Sequence, residues 1–152
     1  MPTHYKGSEE ECRALNLYIK LFRAAESVAQ ATSKSMTSAG LTGTQFGTLE
    51  TLYHLGPLNA STLARKHLKS RNNFTTVIDN LVRLGYAERK ANERDRREVI
   101  VQLTDKGRTV IERVLPGHVA EVMAVMRGIS AEEQCNLSKL LGQLGHFAAN
   151  LK

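Results

Sequence analysis

An amphipathic pattern occupies the chain between Ser70 and Leu84, where apolar residues recur every three or four positions. At about 100° per residue, this spacing predicts a helix with one apolar side and one polar side. The apolar side consists of Phe74, Val77, Ile78, Leu81, Val82 and Leu84, and the polar side consists of Asn72, Thr75, Thr76, Asp79 and Arg83. Ser70 is a favourable N-cap residue. Asn, Thr and Arg are side chains that read base edges in the DNA major groove, whereas an ordinary surface helix is the alternative interpretation.

The same periodicity predicts a helix-rich chain around this segment. Helices are predicted over residues 9 to about 37, 46–55, 59–68, 104–129 and 130–151. Within the fourth of these helices, Pro116-Gly117 predicts a kink or a break. The pattern changes after Gly85, so residues 86–90 and 98–103 are predicted to form a β-hairpin with a polar tip at 91–97.

Two short helices, a tight turn, a polar-fronted helix and a following hairpin are the layout of a winged helix-turn-helix. We therefore predict a mainly α fold with a small β-hairpin wing. The whole chain, 1–152, is predicted to be a single domain in which residues 42–104 form the winged helix-turn-helix part. The outer helices, 9–38 and 105–152, carry apolar stripes longer than one small domain needs. We expect them to form a helical dimerisation base in a homodimer.

The positive charge of the chain is confined to the segment that contains these DNA-reading candidates. The net charge is +6, and residues 65–108 contain twelve Lys or Arg and six Asp or Glu, whereas the remainder contains nine of each. The hairpin tip carries Arg94, Arg96 and Arg97 around Asp95, a density that suits phosphates or a narrow minor groove. This confinement favours a polyanionic partner over the alternative that the charges merely solvate one face.

Composition and motifs argue against several other classes of protein. The five histidines form no i, i+4 pair and the sequence lacks the phosphate-binding glycine motifs, so we predict no metal, no cofactor and no enzymatic activity. No apolar run approaches the roughly 20 residues of a membrane span, and the N-terminus has no apolar signal core, so an unprocessed cytoplasmic protein is expected. Cys12 and Cys135 form neither a zinc-ribbon nor a disulfide pattern.

Two long segments resemble the MarR family of bacterial winged-helix transcriptional regulators. They are LTGTQFGTLETLYHLGPLNASTLARKHLKSRNNFTTVIDNLVRLGY and ERDRREVIVQLTDKG, with similar helical flanks. The resemblance implies an obligate homodimer whose two winged domains bind a pseudo-palindromic operator in double-stranded DNA. The shorter string KSRNNFTTVIDNL is similar to the branch of the family that responds to quinone-like or phenolic compounds. It implies a repressor released by a small aromatic effector or by an oxidative signal.

The resemblance also implies which residues contact DNA. They are Ser70, Arg71, Asn72, Asn73, Thr75 and Thr76 on the helix, and Arg94, Asp95, Arg96 and Arg97 on the wing. Asn72 stands where the family often has Gly, and its amide adds a hydrogen-bonding group at the start of the helix. Asp79 and Arg83, farther along the helix, are interpreted as bystanders or as neighbours of phosphates.

A ligand crevice and a redox residue are implied in the same way. The crevice between the winged domain and the dimer base would involve Phe22, Met36, Phe46, Tyr53 and His118. Some family members sense peroxides through a cysteine in the first helix, which makes Cys12 a redox candidate, although neighbouring glutamates disfavour its reactive thiolate. Oxidative cross-linking between subunits through Cys12 and Cys135 is an open alternative.

Two other functions remain open at the level of the residues. A winged-helix protein-interaction module would share the fold, but it would not need uncharged Asn and Thr on an exposed helix front. An architectural DNA-binding protein without an effector would show little preference among DNA sequences. Activation of transcription is open beside repression.

Overall fold

The structure is a computed structural model that describes residues 3–67, 71–92 and 98–151, with no side-chain description at 71–73. Its elements, in chain order, are α1 (Glu9–Ala31), α2 (Lys34–Ser38), α3 (Gly43–Leu55), β1 (Leu58–Asn59), α4 (Ala60–Lys66), α5 (Arg71–Arg83), β2 (Ala87–Ala91), β3 (Val99–Leu103), α6 (Asp105–Met126) and α7 (Ala131–Asn150). The predicted fold class, mainly α with a β-hairpin wing, is confirmed.

By its internal contacts the chain divides into two compact units, residues 32–119 and residues 1–31 with 120–152. The first unit has one continuous apolar core, to which α2 to α6, β2 and β3 all contribute. Phe74 and Ile111 are among its largest fully buried side chains. Because burial of one such side chain contributes roughly 1.5–3 kcal/mol, this core holds α5 firmly against its neighbours.

A small antiparallel sheet with the strand order β1-β3-β2 completes the first unit. Val101 at the centre of β3 is fully buried and lies opposite Leu58 of β1 and Arg89 of β2. The two hairpin strands were predicted within one residue of their observed ends, but β1 was not predicted. A strand of two residues shows no periodicity, and its existence depends on the partner strand about forty residues away.

Local hydrogen bonds begin and end the short helices, and α3 begins three residues before the predicted start at residue 46. Thr42 and Gln45 form a capping box at the start of α3, and the side chain of Asn59 accepts a hydrogen bond from the Thr62 amide at the start of α4. Gly85 follows α5 with a φ of +73°, a conformation that L side chains rarely adopt. These caps fix the lengths of the short helices around α5.

The prediction of one helix from residue 9 to about residue 37 is wrong, because α1 ends at Ala31 and α2 begins at Lys34. Thr32 is buried, and its carbonyl oxygen accepts a hydrogen bond from Nδ1 of His118 at 3.1 Å. This contact joins residues 86 positions apart and ties down the backbone at the break. Helical periodicity within the segment carries no sign of it.

Of the kink or break expected at Pro116-Gly117, the break is wrong, because α6 runs without interruption from Asp105 to Met126, and the kink stays a prediction. Proline has a φ that suits a helix, but inside a helix it removes one amide donor and its ring crowds the carbonyl four residues earlier. Ile111 before the proline is fully buried, and after it a Cβ at Gly117 would lie 2.6 Å from the Ser35 hydroxyl oxygen. Close packing on both sides of Pro116 keeps the helix continuous.

The second unit consists of α1, the end of α6 and α7. In the single chain none of the residues of α1 or α7, all of them described, is buried. A capping box of Ser130 and Glu133 begins α7, with the Glu133 amide 3.3 Å from the Ser130 hydroxyl. A groove of about 1000 Å³ lies among these helices, and its apolar lining includes Leu17, Leu21, Val28, Leu137, Leu140, Leu144 and Phe147. None of the helices in the described part of the chain is long and apolar enough to cross a membrane.

Candidate DNA-binding surface

Helix α5 separates its two faces as the sequence predicts, except that Leu84, assigned to the apolar side, follows the end of the helix and is exposed. Phe74, Ile78 and Leu81 are at most 1% exposed and belong to the core, whereas Thr75 and Thr76 are exposed. A helix buried along one side in this way cannot rotate without exposing large apolar side chains. The orientation of its polar front is therefore fixed by the core.

His67 at the end of α4 packs against the start of α5, a contact that the sequence patterns did not reveal. Its ring lies stacked on the ring of Phe74 with centroids 5.1 Å apart and an interplanar angle of 25°. Its Nε2 lies 3.3 Å from the hydroxyl oxygen of Thr51 on α3. Burial lowers the pKa of His67 below its usual value, and the nearby Glu50 carboxylate opposes this shift.

Asp79 and Arg89 form an ion pair between α5 and strand β2. The Oδ1 atom of Asp79 lies 2.5 Å from Nη2 of Arg89, and both side chains are partly exposed. Arg83 donates a hydrogen bond to Asn80 one turn earlier on the same helix at 2.8 Å. Asp79 therefore links the helix to strand β2, and its interpretation as a bystander in DNA binding or a neighbour of phosphates stays a prediction.

The C-terminal end of α5 is fastened to the start of α6. The hydroxyl of Thr104 donates to the Gly85 carbonyl at 2.6 Å, and the Lys106 ammonium donates to the Leu84 carbonyl at 2.9 Å while lying over the Tyr86 ring. A Cβ at Gly107 would overlap the Tyr86 carbonyl group. Glycine at position 107, the last residue of the segment ERDRREVIVQLTDKG, thus has a physical reason, since a residue with a side chain would keep the two backbone segments apart.

The hairpin keeps its pairing to the base of its tip. The Asn92 amide donates to the Glu98 carbonyl at 3.0 Å, and the Asn92 side chain donates to the Glu98 carboxylate at 3.0 Å. On the exposed face, the pKa of Glu88 is lowered by a hydrogen bond from Gln102 and by the neighbouring Lys90. The two hairpin strands therefore stay connected as far as Asn92 and Glu98, the last described residues on either side of the tip.

The predicted DNA-contacting residues fall into three groups. Thr75 and Thr76 lie on the exposed front of α5, and residues 71–73 lie in its first turn with only their backbone described. Ser70, Arg94, Asp95, Arg96 and Arg97 lie outside the described residues. The structure thus describes the frame that carries these side chains, and their contacts with DNA remain a prediction.

Four of the five ligand-crevice candidates lie in the unit of residues 32–119. Phe46 and Met36 are buried, and the ring of His118 lies 4.7 Å from that of Phe46. Tyr53 packs partly buried against the same core, with the Arg108 guanidinium 5.5 Å from its ring centroid. Phe22 belongs to α1, where it is exposed and contacts the ring of Tyr18.

Both cysteines are free thiols in the second unit. Cys12 is half-buried, with its sulfur 3.5 Å from the Tyr5 carbonyl oxygen and 3.8 Å from that of Gly7. Cys135 is exposed on α7. The redox role of Cys12 stays a prediction.

Comparison with known proteins gives one consistent result. The profile of the MarR family matches residues 41–99. The uncharacterized HTH-type transcriptional regulator YkoM of Bacillus subtilis is 34% identical over 145 residues, which cover 95% of this chain and 94% of that protein. Among solved structures, Sco3205 of Streptomyces coelicolor, a MarR family transcriptional regulator in complex with DNA, is 23% identical with a TM-score of 0.81, covering 93% of this chain and 90% of that one.

NadR in complex with 4-hydroxyphenylacetate is a second structural neighbour, 24% identical with a TM-score of 0.72, covering 95% of this chain and 97% of that one. The match to YkoM extends beyond the winged segment into the outer helices, because it covers nearly the whole of both chains. The predictions of a regulator and of no enzymatic activity are confirmed with the family. The chain therefore belongs to the MarR family of DNA-binding winged helix-turn-helix transcriptional regulators.

Proposed function

We propose that this regulator is a homodimer that reads a pseudo-palindromic operator with the exposed side of α5. The tip of each wing contacts the flanking minor groove. The observation that carries the proposal is the fixed orientation of α5. Its back is fully buried at Phe74, Ile78 and Leu81, and Thr75 and Thr76 are exposed opposite. Uncharged hydroxyl and amide groups on such a front discriminate bases, whereas arginines on the wing attract phosphates without reading sequence.

Dimerisation is supported by the outer helices. Two helices of 23 and 20 residues contain no buried residue in the single chain, although their entire length is described. Leu140 and Phe147 on α7 are 62% and 64% exposed, and Leu17 on α1 is 60% exposed. Exposed apolar surface of this extent is typical of a face that another chain covers. The occupant that we propose is the same surface of a second copy, since a two-fold interface pairs a patch with itself.

We further propose that the regulator represses transcription and is released by a phenolic or quinone-like compound. Its support is the resemblance of KSRNNFTTVIDNL and the aromatic character of Phe46, Tyr53 and His118 in one unit. NadR is described in complex with 4-hydroxyphenylacetate, a hydroxylated aromatic acid. A ligand of this class would release DNA by preferring a dimer shape that does not match the operator spacing.

Sequence reading by α5 is tested on a duplex selected by the wild-type protein from a pool of random DNA. Thr76→Val keeps the shape of an exposed side chain and removes its hydroxyl, so we expect about tenfold weaker binding to the selected duplex and little change on a scrambled duplex. Thr109→Val is the matched control, since Thr109 is an exposed threonine on α6. Equal effects of the two substitutions would contradict the reading role of α5.

The wing is tested through the salt dependence of binding. Arg97→Ala should weaken binding to all duplexes and should reduce the slope of log affinity against log salt by about 1, because one phosphate contact is lost. An unchanged affinity and slope would show that this arginine does not contact DNA.

The dimer is tested by light scattering with two neighbouring substitutions on α7. Leu140→Glu places a charge in the proposed interface at a position that is 62% exposed in the single chain, so the fold of the chain itself should tolerate it. We expect this variant to be a monomer and Lys139→Glu to keep the wild-type mass. A wild-type protein that is monomeric at micromolar concentration would refute the dimer.

The effector is tested with a panel of hydroxylated aromatic acids and quinones added to the complex with the selected duplex. His118→Gln should make release of the DNA respond less to the concentration of the compound. His54→Gln, which changes an exposed histidine on α3, should leave this response unchanged. Release by no member of the panel would contradict the proposed class of effector.

A further inference from the structure

His67 lies where three helices meet in the unit of residues 32–119, called the winged unit below. It is the C-cap residue of α4, its ring is stacked on Phe74 of α5, and its Nε2 lies 3.3 Å from the hydroxyl oxygen of Thr51 on α3. Phe74 is fully buried, so the imidazole separates the core side of α5 from the surface of α3. A ring in this position sets the distance between the two helices.

Helix α3 is shaped to accept this ring. A Cβ at Gly47 would lie 3.0 Å from the Cε1 atom of His67, which is closer than ordinary carbon contacts allow. Gly47 lies inside α3, where glycine is unfavourable by about 1 kcal/mol relative to alanine. The absence of a side chain at this helical position therefore leaves space for the His67 ring.

We propose that His67 is a positioning residue that holds the N-terminal end of α5 at its working place against α3, and that proton uptake by its ring weakens binding to the operator. This inference rests on the proposed reading role of α5. Phe74 lies between the first turn of α5, which begins at Arg71, and the exposed Thr75 and Thr76. A displacement of the Phe74 side chain would therefore also displace Thr75 and Thr76, which follow it on the same helix.

The neutral ring suits this position better than the protonated ring. A neutral imidazole can accept from or donate to the Thr51 hydroxyl through Nε2, whereas the imidazolium must donate and must also lose solvent. Burial accordingly lowers the pKa of His67, and among the described residues the Glu50 carboxylate of α3 opposes this shift only in part. The α5 partner of the ring is the uncharged Phe74; the side chains of Arg71 and Lys69 lie outside the described part of the chain.

The sign of the expected effect separates positioning from simple charge attraction. A protonated histidine that merely faced the phosphates would strengthen binding to every duplex at low pH, and DNA would raise its pKa. A positioning histidine does the opposite on the operator, because binding and proton uptake are linked reciprocally. Operator binding should then lower the pKa of His67.

The experiment measures affinity for the selected duplex and for a scrambled duplex between pH 5.5 and pH 7.5, and it follows the His67 ring proton by NMR with and without DNA. We expect the protein to lose about fivefold in preference for the selected duplex at the lower pH, a modest coupling. His67→Phe preserves a ring on Phe74 without a titrating group, so its preference should not change with pH. His54→Gln retains the wild-type profile as the matched control.

A second variant approaches the same contact from α3. Gly47→Ala should push the ring from its place and weaken selected-duplex binding at pH 7.5 without a parallel loss of thermal stability, because the alanine favours the helix. An operator-bound His67 whose pKa rises, or a His67→Phe protein that keeps the wild-type pH dependence, would overturn the proposal. Failure of α5 as the reading helix would appear separately, as an unaffected Thr76→Val protein at pH 7.5.

Discussion

A single methyl group at Gly107 is expected to destabilise the winged unit by about 2 kcal/mol. The Cβ of Gly107→Ala would overlap the Tyr86 carbonyl oxygen and would lie 2.8 Å from its carbonyl carbon. The obstacle is backbone, so it cannot rotate away as a flexible side chain would. Overpacking of this kind costs typically about 1–3 kcal/mol, and here the upper end applies, from which the helix preference of alanine subtracts up to about 1 kcal/mol.

The consequence should extend to DNA binding, because Tyr86 and Gly107 belong to the junction of α5, the wing and α6. The Thr104 amide donates to the same Tyr86 carbonyl at 3.2 Å, and the Gly107 amide donates to the Thr104 hydroxyl at 3.0 Å. Displacement of the Tyr86 carbonyl would therefore strain the cap of α6 as well as the exit of α5. We expect lower affinity for the selected duplex together with the lower stability.

Urea unfolding followed by circular dichroism measures the loss at a fixed protein concentration, since the stability of an oligomer depends on concentration. A change of about 2 kcal/mol corresponds to roughly 4–8 °C in the melting temperature of a chain of this size. Gly43→Ala is the control, because a Cβ at Gly43 in the first turn of α3 meets nothing within 4 Å. If the free energy of unfolding of Gly107→Ala lies within about 0.5 kcal/mol of the wild-type value, the range of an ordinary surface substitution, the reasoning from close backbone approach is refuted.

Three further predictions concern the ion pair and the capping box. In a double-mutant cycle, Asp79→Asn and Arg89→Ala should show a coupling of at most about 1 kcal/mol in urea unfolding, because both side chains are partly exposed; a larger coupling would mean that the pair is more shielded than its exposure indicates. Ser130→Ala should remove about 1 kcal/mol of stability with the cap of α7, whereas an unchanged midpoint would show that the cap is dispensable. The hydrogen bonds with Ser130 lower the pKa of Glu133. The contribution of Glu133 to stability is therefore complete above its unfolded pKa and is lost as the pH falls through the lowered folded pKa. In a pH series of unfolding curves, Glu133→Gln should lack this part of the acid dependence, and a wild-type acid dependence would contradict the prediction.

The fold of this chain is largely accessible from the sequence because its strongest signals are local. The buried set of Phe74, Ile78 and Leu81 follows from helical periodicity, and the caps at Asn59 and Ser130 follow from residues three positions apart. Each of these features is decided within one or two turns of chain. Periodicity and capping rules describe such distances well.

The features that the sequence did not reveal depend on contacts between distant segments. Strand β1 exists because Leu58 pairs with Val101, and the break after Ala31 is accompanied by the bond from His118 to the Thr32 carbonyl. In the candidate site, the ring of His67 meets Thr51 sixteen positions earlier. Spacing rules do not detect such pairs, although a histidine directly before the helix that we propose reads DNA is a signal for a contact at this position.

The two ends of α5 are fastened by contacts of different kinds, and this difference decides where a signal could enter. At the C-terminal end, Gly107 and Thr104 hold the helix through backbone approach and hydrogen bonds between groups that do not titrate. At the N-terminal end, the helix rests on an imidazole whose charge changes with pH. The base-reading residues that we propose lie in the first two turns of α5. Of the two contacts, the stacking of His67 on Phe74 is therefore the one nearer to these residues. A perturbation at His67 should therefore change sequence preference, whereas one at Gly107 should change stability first.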